Sequence, residues 1–218
     1  DSMRASEWVE QTVATLRGYS NVRLLPRSTV SGVYDHGLVT IAERVTDHLA
    51  QSPAHSPRQR LLHLRCARVI LASGSIERPL VFADNDKPGV MLASALRTYI
   101  NQYAVLPGSK IAIFTNNDDA YRSALDAKQA GAQTVTLIDT RRTVDAQLVN
   151  RLRSAGIDYF GYSYITAVHG QTVQAISVLG RDGTGAQKID CDLLGSSGGW
   201  SPTVHLYSQA GGKLRFDD

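Results

Sequence analysis

Apolar positions recur along this chain with two different periods. In Glu7–Arg17 (EWVEQTVATLR), Trp8, Val9, Val13 and Leu16 fall on one side of a helix that Gly18 ends. Asn21–Leu25 then reads as a short strand. Thr29–Tyr34, Leu38–Val45 and Leu61–Leu64 are apolar, β-branched stretches with strand character. Asp35-His36-Gly37 between the first two is a hairpin-turn signal, and Gln51–Arg60, with Pro53 and Pro57, is a loop. Together these segments predict a small antiparallel meander. Ala67–Ala72 (ARVILA) is continuously apolar up to Ser73-Gly74, which predicts a strand buried on both faces.

The second half changes rhythm. Ile76–Pro88 is irregular, and Val90–Tyr103 reads as a helix leading to Pro107-Gly108. Lys110–Phe114 is predicted as strand, Asp119–Ala130 as helix and Thr134–Ile138 as strand. This is a βαβ unit, which requires a parallel sheet. A helix over Thr143–Ala155 and strands at Ile157–Tyr159, Ile165–His169, Val173–Leu179 and Ile189–Leu194 complete the pattern. The predicted class is α/β. It comprises a Rossmann-like second dinucleotide-binding-type domain with a parallel sheet, plus an incomplete first domain that includes the antiparallel meander. The expected divisions are 1–86 for the remainder of the first domain, 87–208 for the second, and 209–218 for a return to the first. Cys66–Pro79 and Cys191–Pro202 echo each other as cysteine, apolar run, Ser-Gly and Pro, as though two similar units deliver a glycine turn to the same kind of edge.

Composition narrows the function. A net charge of +3 with dispersed Lys and Arg offers no electrostatic footprint for nucleic acid. No apolar run approaches the length that spans a bilayer. Two cysteines without metal-ligand spacing fit a reducing cytoplasm better than a disulfide scaffold. The start at Asp1 and the stop at Phe216–Asp218, before any closing element, read as a segment of a larger subunit.

Candidate chemistry is sparse. A dinucleotide-binding turn needs glycines, so that backbone can approach a pyrophosphate at the helix N-terminus. Here the turn is Thr115-Asn116-Asn117-Asp118-Asp119, without glycine. Asp118 or Asp119 is expected to cap the helix rather than leave it to a phosphate, with a Mg²⁺ site as a further option. Asp139 stands where an acid can hold ribose hydroxyls. Arg141 and Arg142 beside it suit a 2′-phosphate or plain solvated charge. The six histidines form no ligand-spaced pair, and GxSxG is absent. No catalytic residue and no metal ligand is predicted. Ser73-Gly74 and Ser197-Gly198-Gly199 each follow an apolar run, where glycine admits a ligand or a neighbouring chain, or simply turns the backbone.

Three stretches carry a family resemblance: Glu43–Tyr103, Phe114–Ala132 with its unusual TNNDDAY, and Cys191–Asp218. In these the chain resembles the α subunits of heterotetrameric sarcosine oxidases, over essentially its whole length. The resemblance implies an oxidoreductase that demethylates N-methylglycine to glycine. It implies FAD in the β subunit, FMN at the α–β interface and NAD in the α subunit, with β, γ and δ subunits as partners. It also implies that the N-terminal GxGxxG unit and an aminomethyltransferase-like region lie outside this sequence. Val30 then resembles the backbone position beside the adenine. Ser73-Gly74 resembles the turn facing the dinucleotide, with ASGS where ATGA is usual. The isolated segment is expected to bind no cofactor tightly and to catalyse nothing alone. The alternatives are a structural module, or a related subunit of a cyanide synthase, opine oxidase or dye-linked proline dehydrogenase.

Overall fold

The computed structural model describes residues 3–216. Two compact units divide the chain: one holds the residues up to Ser73 and those from Thr203 onward, the other holds Gly74–Pro202.

The first unit opens with helix α1 (Ala5–Arg17), in which no residue is buried and Trp8 is 60% exposed. Strands β1 (Ser28–Tyr34), β2 (Leu38–Arg44) and β3 (Gln59–Arg65) follow, paired antiparallel in the order β1-β2-β3. This is the predicted meander. His36 and Gly37 both take positive φ (58° and 68°), which lets the β1–β2 connection turn within three residues. Val33, Val39 and Ile41 point to one side and form a small core with Leu25, Leu62 and Leu206. Two expectations fail here. Asn21–Leu25 forms no strand, since no ladder partner lies beside it. Ala67–Ala72 is neither strand nor buried: Val69, Ile70 and Leu71 are exposed, Ile70 by 92%. An apolar run becomes a buried strand only when neighbouring strands pair with it and layers cover it, and among the described residues none does.

The second unit begins with β4 (Ser75–Glu77), which runs into the start of the stretch expected to be irregular, Ile76–Pro88. Val90–Leu92, expected as the first turn of a helix, is strand β5, and helix α2 starts only at Ala93 and runs to Tyr103. Then come β6 (Lys110–Thr115), α3 (Asp119–Gln129), β7 (Thr134–Asp139), α4 (Ala146–Ser154) and β8 (Asp158–Phe160). The remaining strands are β9 (Ser163–His169), β10 (Ala175–Gly180), β11 (Gln187–Asp190), β12 (Leu193–Ser197) and β13 (Trp200–Pro202). The stretch Ile189–Leu194 is therefore two strands. At Cys191-Asp192 the chain leaves one sheet for another, and the Asp192 carboxylate accepts from the backbone N–H groups of Ser109 and Lys110 at 2.9–3.0 Å.

A five-stranded sheet, ordered β5-β12-β6-β7-β8 and parallel throughout, forms the middle layer. The pairing of Lys110–Phe114 with Thr134–Ile138 bears out the predicted βαβ unit. Along β6, Ile111 and Ile113 face the helices, where they pack with Leu96, Ala124, Leu137 and Leu152. Ala112 and Phe114 face the other way, onto the antiparallel sheet β11-β10-β9 and its Ile165, Val168, Ile176 and Val178. Strands β4 and β13 pair with each other as a two-stranded ribbon. The chain returns through the short helix α5 (His205–Gln209), whose Gln209 side chain accepts from the Val33 N–H at 3.1 Å.

The contrast between the two apolar runs sets a stability test. Leu152→Ala, at a fully buried position, is expected to cost about 3 kcal/mol in urea unfolding. Ile70→Ser should change stability by less than about 0.5 kcal/mol. A cost at Ile70 as large as that at Leu152 would contradict the exposure described.

Candidate functional site

In open α/β sheets ligands gather at the carboxyl edge of the strands, and the turns meeting there settle what this edge can hold. Three helices begin on it, and each N-terminus is met by a side chain of the chain itself. At α2, Glu77 is buried and its Oε2 accepts from Ser94 N at 2.8 Å. At α4, Asp145 Oδ1 accepts from Gln147 N at 2.8 Å. At α3 the acceptor is Asn117, whose Oδ1 takes the Asp119 N–H at 3.1 Å, while Thr115 Oγ1 takes the Asn117 N–H at 3.0 Å. Neither Asp118 nor Asp119 caps the helix, contrary to expectation. Their carboxylates turn sideways to guanidinium groups: Asp118 to Arg141 at 2.7 Å, Asp119 to Arg97 at 3.5 Å. A short amide reaches its own turn's N–H groups, and a longer-range cation outcompetes them for the acids.

Asp139, at the end of β7, is fully buried. Its Oδ1 accepts from the Arg141 backbone N–H (2.8 Å) and Nε (3.1 Å), and its Oδ2 from Arg141 Nη2 (2.8 Å) and the Tyr121 hydroxyl (2.9 Å). A carboxylate offers about four lone-pair sites, so this one has none left for ribose hydroxyls. Arg141 is accordingly the partner of a buried carboxylate and only partly solvated, with its side chain 29% exposed. Hydrogen bonding to Asp139 and Asp118 raises its pKa further above the ordinary guanidinium range. Burial, with hydrogen bonds to Tyr159 and Asp139, pushes the Tyr121 phenol well above its usual value. Arg142 lies over the Tyr162 ring, 5.8 Å from its centroid.

A pyrophosphate does not fit the β6–α3 turn. Its seat is taken by Asn117, and two carboxylates flank it. The Ser197-Gly198-Gly199 turn resolves as a close approach of the chain to itself. A Cβ on Gly198 would lie 2.8 Å from the Pro79 carbonyl oxygen, and Asn117 Nδ2 donates to Ser197 Oγ at 2.9 Å. Of the residues singled out for a cofactor, Val30 sits in β1 where the register shifts by a bulge before Gly32. Ser73 is exposed and its hydroxyl donates to the Thr203 carbonyl at 2.8 Å. Gly74 has φ of 69° with open space where a Cβ would point. No hydrogen bond joins Val30 to Ser73 among the described residues. Cys191 is buried, its thiol pushed up to about 12 by burial and by Asp192 and Asp190, which makes it an inert packing group. Among the described residues no cluster of three His, Cys, Asp or Glu is disposed to hold a metal, and no helix is long and apolar enough to cross a membrane. The Asp139–Arg141–Tyr121 cluster escaped sequence reasoning, although an acid at a strand end with arginine two residues later was its legible signal.

These layers and this edge define the dinucleotide-domain fold of flavin- and nicotinamide-dependent oxidoreductases. Thioredoxin reductase of T. acidophilum superposes on 98% of this chain and 65% of its own, with a TM-score of 0.67 at 14% identity, a likeness of fold alone. L-proline dehydrogenase of P. horikoshii superposes on 96% of this chain and 34% of its own (TM-score 0.60, 25% identity). Along its whole length the chain is a relative of the sarcosine oxidase α subunits. It is 38% identical to that of Corynebacterium sp. (strain P-1) over 100% of this chain, and 36% identical to that of Rhizobium meliloti (strain 1021) over 98%. It spans 23% and 21% of those subunits. No protein-family profile matches the chain.

Two outcomes test the edge. Asn117→Ala should cost about 1 kcal/mol and Asp118→Ala clearly less in denaturant unfolding. Arg141→Ala, which strands a buried carboxylate, should cost about 3 kcal/mol, at the lower end because Arg141 is itself partly solvated. Equal costs at Asn117 and Asp118 would refute the assignment. The second outcome concerns alkali. The folded chain keeps the Tyr121 proton where the unfolded chain releases it, so this stabilisation is complete below about pH 10 and falls as pH rises beyond that. In Tyr121→Phe, stability should decline less steeply above pH 10 than in the parent.

Proposed function

We propose that this chain is part of the α subunit of a sarcosine oxidase and supplies it with a dinucleotide-type scaffold, the amine chemistry residing elsewhere. The observation that carries the reading is the 38% identity to such a subunit, in an alignment that covers the whole chain. Two features support the scaffold role. The α3 turn replaces glycine and open N–H groups with Asn117 and its flanking acids. The run Ala67–Ala72 is exposed, and among the described residues its backbone takes part in no ladder. Such an exposed apolar run calls for partners, and the meander unit is then the remainder of a first dinucleotide-binding domain whose other strands the parent subunit provides.

In that setting NAD belongs to the first domain, with Val30 beside the adenine and Ser73-Gly74 facing the dinucleotide. FMN lies at the interface with the β subunit and FAD within it, and γ and δ subunits complete the assembly in the cytoplasm. Bound NAD would supply a nicotinamide redox couple. This chain's own contribution is limited to backbone groups at Val30 and Gly74 and the Ser73 hydroxyl. The second reading, a proline dehydrogenase subunit, is favoured by the 25% identity to the P. horikoshii enzyme.

The full-length protein, purified with the products of its neighbouring subunit genes, should convert sarcosine to glycine. Oxidation of L-proline with sarcosine untouched would establish the second reading instead. For the chain alone, a few neutral hydrogen bonds of roughly 1 kcal/mol each fall far short of the about 8 kcal/mol that micromolar affinity requires. Calorimetry should therefore find NAD and FAD bound no tighter than about millimolar.

A further inference from the structure

Within the second unit, the carboxyl edge of the parallel sheet opens into a cleft of about 580 Å³, bordered by residues of the antiparallel sheet and by Asn116 and Thr140 of the turns after β6 and β7. Phe114 at the end of β6 packs edge-on against Phe82, ring centroids 5.6 Å apart, and these with Leu80 and Ile165 make an apolar floor. Tyr162 and Tyr164 form an aromatic wall. Tyr162 has φ of 50°, a left-handed conformation that a bulky residue adopts only when its surroundings impose it. Its carbonyl accepts from Arg181 N at 2.8 Å, which joins the β8–β9 turn to the end of β10 and holds the wall in place. Arg142 rests on the same Tyr162 ring.

The polar side chains lining this cleft each carry at least one donor, and the one charged residue among them is a cation, Arg181. Asn116, Thr140 and Arg181 line the cleft; Asn116 takes a hydrogen bond on its Oδ1 from Asn117, and its own amide N–H groups donate to no partner among the described residues. No carboxylate lines it, and Arg181 has no acid within 4 Å among the described residues. Asp139, the nearest strand-end acid in sequence, is consumed by Arg141 and Tyr121.

We propose that this cleft binds a planar aromatic ring bearing one carboxylate. The ring stacks on the tyrosine wall over the phenylalanine floor. The carboxylate pairs with the Arg181 guanidinium, whose fork matches it in two parallel hydrogen bonds, and Thr140 or Asn116 donates a third. A pyrophosphate is the poorer occupant, because the N–H groups that would cradle it are capped by Glu77, Asn117 and Asp145. This inference is independent of the reaction the parent subunit performs.

The probe is 2-naphthoate, titrated into the 218-residue chain with its own fluorescence as the signal. Saturable one-to-one binding at about millimolar affinity or tighter is expected. The uncharged 2-naphthalenemethanol should bind at least about tenfold more weakly, and Arg181→Gln should weaken 2-naphthoate by about the same factor. Tyr164→Leu should weaken both probes together, with circular dichroism confirming that each variant is folded. Thr140→Val, nearly isosteric, gives a smaller loss of about threefold. Absence of saturable binding, or an affinity unmoved by Arg181→Gln, would overturn the proposal. So would tighter binding of AMP than of 2-naphthoate, which would make the cleft a nucleotide site.

Discussion

A parallel sheet has two apolar faces and can show neither to water, and the second unit follows from that requirement. Each strand must arrive from the same end, so the chain returns through a covering element every time. Helices α2, α3 and α4 close one face, and the antiparallel sheet β9–β11 closes the other. Alternation along β6 assigns its side chains to the two cores in turn. The sheet also places all its strand ends, and hence the turns into the helices, along one edge. What the unit can bind is decided by the residues on that edge, which the core leaves free to vary.

There the chain has chosen acids and amides. In a dinucleotide site the helix N-terminus stays open and its partial positive charge waits for a phosphate. Here each of those fields is satisfied internally. The Asp139–Arg141–Tyr121 cluster does the same for the strand-end acid. The fold has been kept while the usual ligand's contacts have been replaced by contacts of the chain with itself, so fold likeness to the reductases carries no promise of their chemistry.

Much of this was legible from sequence where the signal was local. Alternation and a hairpin turn located the meander, and strand–helix–strand spacing located the parallel pair β6–β7. The misread elements share a cause: their state depends on partners that periodicity does not report. Ala67–Ala72 has the composition of a buried strand but lacks the neighbours that would bury it. Val90–Leu92 has helical apolar spacing, yet β12 beside it supplies a ladder and draws it into the sheet. The helix cap fell to Asn117 because Arg141 and Arg97, remote in sequence, claim the aspartates. At the cleft, Tyr162 and Arg181 come from separate turns, and only the folded chain brings them to one wall.

The second unit begins and ends at paired residues. Ser75 and Pro202 are ladder partners in the β4–β13 ribbon, and paired residues in such a ladder lie about 5 Å apart. The unit is in effect a cassette, with both of its ends at one clasp. A neighbouring fold can accept or give up such an insert by joining two adjacent backbone ends, at little cost in loop entropy. The two ends of the insert are thus neighbours by pairing, whatever the residues at its far edge.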